Sequence, residues 1–476
     1  MGKKWKLLGL GVALATIPME LSAKTWSLQA CIDYALQNNI NMLKTQLNVK
    51  NAHENIKESQ AALLPSLAFN TSHNVSYTPW PEVGSYMVAG SRVQTSVDKT
   101  FYNGSYGVSA NLMLWNGNRN RNQIKLNQYA EKQAKLDSAT TANALIEQIA
   151  QLYVQILYST EAIKVNQESL ATSIKNEERG QEMVNVGKMS KANLAQLTSQ
   201  RAQDEYAVVQ AESTLKDYKR QLKQLLQLTN NEPFEIVIPQ TTDDMALALI
   251  PQLNNVYQQA VAHRPEIKNA ELGIESSNLS IKIAKAMRQP TISLNAGANA
   301  NTTTMSHKAW GTQLKNNFGL GAGVSISVPL FDNRQTTTAV NKARLQQLNY
   351  QLELKDKQTA LYATIENYWL QANNNQNMFK AAQITAQSAK TSYDLLNEQF
   401  SLGLKNIVDL MTGKDNLLKA QQNELQSKYL AILNIKLLQF YQEGTLKFIS
   451  EPLANTFPLR NKLASGSLMI FYSKTS

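Results

Sequence analysis

Short segments of the chain alternate between apolar and small polar residues with a period of two. In the clearest of them, Phe318–Leu330, every second residue is apolar and the residues between are Gly, Ser or Pro. Such alternation places the apolar side chains on one face of a strand and the small polar ones on the other. The pattern predicts four one-sided β-strands, at about 66–77, 104–114, 291–301 and 318–330.

Two long segments between these strands have a helical composition instead. Residues 117–186 and 333–402 contain no proline and are rich in Ala, Gln, Leu, Lys and Glu. A helix of about 70 residues would extend for about 105 Å at 1.5 Å per residue. Apolar residues in the following helical segments are spaced by three and four, which is typical of coiled coils. An ordinary helical bundle would produce similar spacing, and only the length favours a coiled-coil body.

The second half of the chain repeats the first. The segment that begins at Pro65 recurs 225 residues later at Pro290, and Gly107 and Gly187 recur 216 residues later at Gly323 and Gly403. Each half is predicted as helix, strand, loop, strand, long helix, tight turn and long helix.

The repeat defines the domain organisation. We assign 24–235 to the first repeat, with long helices to 228, and 236–450 to the second, with long helices to 443. Residues 451–476 have no counterpart in the first repeat and are left unassigned.

These elements predict a mainly α-helical chain with a small sheet. If the one-sided strands face lipid, four of them cannot form a closed barrel, and an open edge leaves backbone groups unpaired. Because small barrels need about eight strands, two, three or four copies of the chain would have to share one. The alternative is a periplasmic structural coiled-coil protein whose short strands form a soluble sheet over a core.

The first 23 residues are predicted to be an export signal. Lys3, Lys4 and Lys6 precede the apolar segment Leu7–Ile17, and small residues follow at 21–23. No later apolar run reaches the roughly 18 residues that a transmembrane helix needs. The only cysteine, Cys31, follows residues that resemble a lipoprotein cleavage box, but it lies in an amphipathic helical pattern, and an ordinary helical cysteine is the favoured interpretation.

Composition and motifs argue against a metal or cofactor site, a nucleotide-binding loop and nucleic-acid binding. One cysteine and four scattered histidines provide no metal-ligand spacing, so neither a metal nor another cofactor is expected. The glycines at 319, 321 and 323 fall inside a strand pattern and do not form a nucleotide loop. The net charge is +11, but the densest basic cluster, at 216–223, is interrupted by Asp217, so nucleic-acid binding is not expected. The sequence gives no support for an enzyme.

The ordered motifs resemble the TolC family of outer-membrane efflux proteins over about residues 26–446. The resemblance is carried by the helix opening Ser27–Ala35, the element His263–Glu266 and the turns Val186–Lys188 and Leu402–Leu404. It implies a homotrimer with a 12-stranded barrel in the outer membrane of a Gram-negative bacterium and a helical tunnel through the periplasm. It also implies a periplasmic adaptor protein and an inner-membrane transporter as partners, for efflux or type I secretion through a passive duct.

The resemblance also implies a contact surface for the adaptor at the ends of the long helices. Gly187 and Gly403 would form the turns, because glycine tolerates a positive φ. The surface would run over 186–194 and 402–410, and its assigned residues are Val186, Gly187, Leu194, Leu402, Gly403 and Leu410.

A constriction at the periplasmic entrance is implied next to these turns. The family's acidic position six residues after the turn glycine is Asn193 in the first repeat and Asp409 in the second, and a further acidic position is Thr412 here. Lys405 matches a basic gate position and is placed to bond to Asn193 or Asp409. Asn406 and Asp409 also form an N-x-x-D pair that would cap the returning helix, and gate and cap remain equal alternatives.

Overall fold

The computed structural model describes residues 25–80, 84–88, 91–95, 99–229, 234–306 and 308–446. The predicted export signal (1–23) and the unassigned tail (451–476) lie outside the described residues. The helices are α1 (Leu28–Asn38), α2 (Ile40–Ala61), α3 (Arg119–Asn185), α4 (Lys191–Leu225), α5 (Asp243–Ala246), α6 (Leu253–His263), α7 (Pro265–Ala286), α8 (Trp310–Asn316), α9 (Gln335–Ser401) and α10 (Ile407–Glu443). The strands are β1 (Thr25–Trp26), β2 (Ser66–Tyr77), β3 (Gly84–Val88), β4 (Ser91–Thr95), β5 (Thr100–Trp115), β6 (Glu235–Ile236), β7 (Thr291–Thr303) and β8 (Gly319–Ser327).

The two long helices are present and equal in length. Helices α3 and α9 each contain 67 residues, which corresponds to about 100 Å. Helices α2 and α7, which precede the strands in each half, both contain 22 residues. Helix α10 ends at residue 443 as predicted, whereas α4 ends at Leu225 rather than 228, because Gln227 has a positive φ of 58° that ends the helix.

Four strands form one antiparallel sheet in the order β2-β5-β7-β8. Strand β5 begins four residues before the predicted 104, and β7 extends two residues beyond 301. The predicted strand 318–330 was too long, because β8 ends at Ser327, which pairs with Thr291. Pro290 and Pro329 lie just beyond this pair and have no N–H to continue the ladder.

The two faces of this sheet differ as the alternation predicts. One face carries exposed apolar side chains, among them Leu67 (75% exposed) and Leu320 (77% exposed). None of the four strands contributes to either hydrophobic core of the described residues. The alternative of a soluble sheet over a core is therefore wrong.

The opposite face carries polar side chains that bond from strand to strand. Asn111 donates to Asn295 (2.5 Å), Asn295 donates to Ser325 (2.9 Å), and the hydroxyls of Ser72 and Ser105 are 2.7 Å apart. These bonds connect β5 to β7, β7 to β8 and β2 to β5, so the polar face is a continuous hydrophilic surface.

Helices α2, α3, α7 and α9 pack side by side in that order, which matches the order of the strands they adjoin. The main core lies farther along the helices, where α1, α3, α9 and α10 meet, and includes Phe379 and Phe440. Cys31 belongs to this core, and burial raises the pKa of its thiol to about 12. Arg264 of the predicted His263–Glu266 element is also buried, with its guanidinium 3.8 Å from the ring centroid of Tyr441.

Candidate functional site at the helical hairpin tips

Two tight turns join the long helices, one from α3 to α4 and one from α9 to α10. Gly187 and Gly403 occupy them with φ values of 74° and 76°. The N–H after each glycine bonds back to the helix, from Lys188 to Met183 (2.7 Å) and from Leu404 to Gln399 (2.9 Å). This is the Schellman arrangement, which ends a helix at a residue with positive φ. A Cβ at either glycine would meet nothing within 4 Å, so backbone conformation and not space requires glycine here.

The returning helices begin with equivalent polar caps. The Ser190 hydroxyl accepts from the N–H of Asn193 (3.1 Å), and the Asn406 side chain accepts from the N–H of Asp409 (2.8 Å). The cap of the second hairpin is therefore supplied by Asn406. The carboxylate of Asp409 points to Lys405 instead, whose Nζ lies 3.5 Å away.

Three of the four predicted entrance residues lie together. Lys405, Asp409 and Thr412 line a groove of about 620 Å³ between α9 and α10. Asn193 is not part of this groove, since it occupies the equivalent position on the other hairpin. Of the two partners expected for Lys405, the structure shows Asp409.

The predicted contact surface is apolar and exposed at its turns. Val186 and Leu402 are 69% and 68% exposed, and Leu404 and Val408 extend the same surface. Leu194 is half-buried. Leu410 is only 1% exposed and packs with Ile407 and Phe400 in a small core, so its assignment as a surface contact was wrong. Its position one turn into α10 directs the side chain between the hairpins.

The two helices of each hairpin approach closely at one glycine. A Cβ at Gly180 of α3 would lie 2.5 Å from Leu197 of α4, and a Cβ at Gly413 of α10 would lie 2.6 Å from Leu396 of α9. Adding the repeat offset of 216 to 180 and 197 gives 396 and 413. The two hairpins therefore use the same pair of positions with the small and large residues exchanged.

A buried ionic cluster joins the hairpins above the tips, and none of its residues is among those predicted from the sequence. Lys414 of α10 bonds to the carboxylate of Asp204 of α4, and the Ser173 hydroxyl of α3 donates to the same carboxylate (2.5 Å). Gln200 bridges Asp204 and Asp415 at 3.3 and 3.2 Å. The sequence does contain a signal for a buried lysine. Lys414 continues the three-four spacing of Ile407, Leu410 and Leu417 and so occupies a core position.

Partial burial raises the pKa of the Asp415 carboxyl, and the nearby charge of Asp204 raises it further, against the opposing effect of Lys414. Among the described residues, no group of three His, Cys, Asp or Glu side chains is placed to hold a metal ion. No helix of the described chain has the length and hydropathy of a membrane span.

A sheet that alternates between an exposed apolar face and a polar face is typical of outer-membrane barrel strands, and here it is continued by the helices α3 and α9, each about 100 Å long. The chain belongs to the outer membrane efflux protein family, which matches residues 31–227 and 256–436. This assignment confirms the resemblance found in the sequence and places the protein in the outer membrane.

Individual relatives are distant but extend over nearly the whole chain. Outer membrane protein TolC of Vibrio cholerae is 22% identical over 452 residues, which cover 93% of this chain and 96% of that protein. Outer membrane efflux protein BepC of Brucella suis is 19% identical over 86% of this chain and 83% of its own length.

Solved structures share the fold. The CmeC outer membrane channel of Campylobacter jejuni has a TM-score of 0.70 at 17% identity and covers 87% of this chain and 86% of its own. CusC has a TM-score of 0.73 at 17% identity, with coverages of 87% and 91%. These relatives are channels rather than enzymes.

Proposed function

We propose that three copies of this chain form a passive exit duct in the outer membrane, supplied by a periplasmic adaptor and an inner-membrane transporter. The observation that carries this proposal is the four-stranded sheet, whose apolar face is exposed. Within the described chain, β2 and β8 each have one neighbour and therefore one unpaired edge. Backbone groups in lipid must be paired, so β2 of one copy would pair with β8 of the next, and three copies would close 12 strands.

The polar face of the sheet suits the lumen of such a barrel. The bonded Asn and Ser side chains of β2, β5, β7 and β8 would contact water and cargo without forming a selective site. A duct of this kind needs no catalytic residue or cofactor, and the transporter supplies the energy.

The hairpin tips would receive the adaptor. Val186, Leu402, Leu404 and Val408 provide exposed apolar side chains around turns whose geometry is fixed by Gly187 and Gly403. Exposed apolar side chains clustered among polar ones are characteristic of protein-binding surfaces.

The pair of Lys405 and Asp409 would constrict the entrance. It lies in the groove beside Thr412, one helical turn from the tip, and its charges are partly exposed. An ion pair at this position opens at little energetic cost, because exposed pairs contribute only about 0–1 kcal/mol.

Fractionation and functional replacement test the proposal. The full-length protein should appear in the outer-membrane fraction, migrate as a trimer in mild detergent, and lower the accumulation of a fluorescent efflux substrate when expressed with its adaptor and transporter. A monomer in mild detergent, or recovery in the soluble periplasm, would overturn the shared barrel. A correctly inserted trimer that leaves accumulation unchanged in its own host would overturn the duct.

A further inference from the structure

A cavity of about 590 Å³ lies between α3 and α7, directly below the sheet. Four cationic side chains line it, all of them exposed: Arg121, Lys125, Lys282 and Lys285. The pairs are spaced by four residues on α3 and by three on α7, so each pair lies on one face of its helix. None of the four forms an ion pair with a carboxylate of the described chain.

Trp115, at the end of β5, shows on which face of the sheet this cavity opens. The register of β5 against β7 shifts between Met113 and Trp115, so Trp115 lies opposite Ile292 instead of Thr291. A bulge of this kind turns a side chain to the other face of a sheet. Trp115 therefore lies on the apolar face with Ile292. The cavity that it lines opens on this face, which is the outer surface of the proposed barrel.

The depth of the cavity follows from the aromatic residues of the same face. Tyr106, nine residues before Trp115, bonds to Trp310 at the far end of the sheet (3.3 Å). The bulge adds one residue without lengthening the ladder, so the positions of Tyr106 and Trp115 are eight residues apart on β7, from Ala300 to Ile292. Eight residues span about 26 Å along a strand, or roughly 19–22 Å along the membrane normal at the usual tilt. This separation is comparable to the height of an apolar band between two aromatic girdles. The four cations therefore lie at the level of the lipid headgroups on the periplasmic side.

The cationic cluster occurs once in each chain, although the fold is repeated. With the offsets of 225 and 216, the equivalents of Lys282 and Lys285 are Lys57 and Gln60, and those of Arg121 and Lys125 are Thr337 and Asn341. Lys57 is neutralised by Glu54 at 2.9 Å. The cluster of four cations is thus specific to the α3/α7 junction, whereas Arg288 at the α7/α9 junction donates to Thr337 (2.7 Å).

We propose that this cavity binds the phosphate group of an anionic phospholipid of the periplasmic leaflet. Guanidinium and ammonium groups donate to phosphate oxygens, and basic clusters at a membrane surface attract anionic lipids. Trp115 and the apolar face above it contact the acyl chains. The bound lipid would fix the rotation and height of the helical body relative to the bilayer.

Native mass spectrometry of the assembled, full-length protein tests this site. The trimer is titrated with phosphatidylglycerol, with phosphatidylcholine and with inorganic phosphate. We expect phosphatidylglycerol to bind preferentially, with up to one tightly held lipid for each chain. Equal binding of phosphatidylcholine would overturn the electrostatic argument, and equal occupancy by inorganic phosphate would assign the cavity to a soluble anion instead of a lipid.

The variant R121Q/K125Q/K282Q/K285Q should weaken phosphatidylglycerol binding by roughly tenfold or more. The control K175Q/R179Q/K188Q/K191Q also removes one Arg and three Lys, but it does so near the hairpin tips, about 87 Å along α3 from the cavity. Unchanged binding in the first variant, or an equal loss in the control, would overturn the proposal. If the first variant fails to assemble, K282Q/K285Q is compared with the unmodified protein for phosphatidylglycerol binding. Melting of both proteins without lipid separates a loss of lipid binding from a loss of helix stability.

Discussion

The ammonium group of Lys414 is buried against the carboxylate of Asp204, although the two residues are 210 positions apart. The contact joins α10 to α4 and thereby holds the second hairpin against the first. Both side chains are 5% exposed. The Ser173 hydroxyl donates to the same Asp204 oxygen as Lys414, and the Gln200 amide donates to the other. Two further polar contacts join the hairpins, from Gln422 to Asn166 (3.1 Å) and from Asn176 to Tyr393 (3.5 Å), and the ionic pair is the charged member of this set.

Removal of one member of this pair should be strongly destabilising. We expect Lys414→Met to lower the free energy of unfolding by about 3–5 kcal/mol, because it leaves the Asp204 charge buried without a partner. The double variant Lys414→Met/Asp204→Leu should recover much of the loss. Melting followed by circular dichroism measures both. Lys405→Met is the control, since its exposed pair with Asp409 contributes at most about 1 kcal/mol; equal losses for Lys414→Met and Lys405→Met would contradict the burial argument.

The turn at Gly403 should be intolerant of proline. Pro cannot adopt its φ of 76° and removes the N–H that bonds to Phe400 (3.0 Å). We expect Gly403→Pro to abolish transport while trimers still form, as judged by substrate accumulation and native electrophoresis. Gly403→Asn is the matched control, because Asn adopts positive φ readily. Normal transport by the Pro variant would count against the tip as the adaptor contact.

The exchanged packing of the two hairpins predicts a compensating pair of substitutions. Gly413→Leu should cost about 1–3 kcal/mol, because the new side chain overlaps Leu396. Adding Leu396→Gly recreates the arrangement of Leu197 and Gly180 and should restore most of the stability. A double-mutant cycle on thermal melting measures the coupling, and simply additive losses would refute the equivalence of the hairpins.

Channel recordings separate the constriction at Asp409 from the helix cap. If the carboxylate narrows the entrance together with Lys405, Asp409→Ala should raise single-channel conductance in planar bilayers. Asn406→Ala removes the side chain that accepts from the Asp409 N–H and should lower stability by about 1 kcal/mol with conductance unchanged. Unchanged conductance in Asp409→Ala would leave the residue without a gating role.

The raised pKa of Asp415 predicts a pH dependence of stability. A carboxyl whose pKa is higher in the folded state binds more protons when folded, so stability falls as pH rises between the unfolded and the folded pKa. Asp415→Asn should therefore raise the melting temperature at pH 7. It should also reduce the decrease in stability with rising pH between the two pKa values. The gain should vanish in acid, below both pKa values, and a gain that persists there would assign the effect to packing.

The sequence by itself determined the elements and their order. Alternation with a period of two defined the four strands, because each needs one apolar and one polar face. The spacing of Gly187 and Gly403 defined two hairpins of equal length, because a positive φ at a helix end favours glycine. Family membership was equally accessible, since it depends on the order of such motifs.

Tertiary structure alone decided which residues meet. The three-four spacing places Leu410 in line with Ile407, but the spacing does not say what covers that stripe at the tip, and its burial depends on the hairpin packed beside it. Asp204 and Lys414 meet because α4 and α10 pack in one register, and Trp115 changes faces because of a bulge that only pairing with β7 reveals. Local preference acts over a few residues, whereas these contacts join segments about 200 residues apart, and their geometry exists only after the helices and strands have packed.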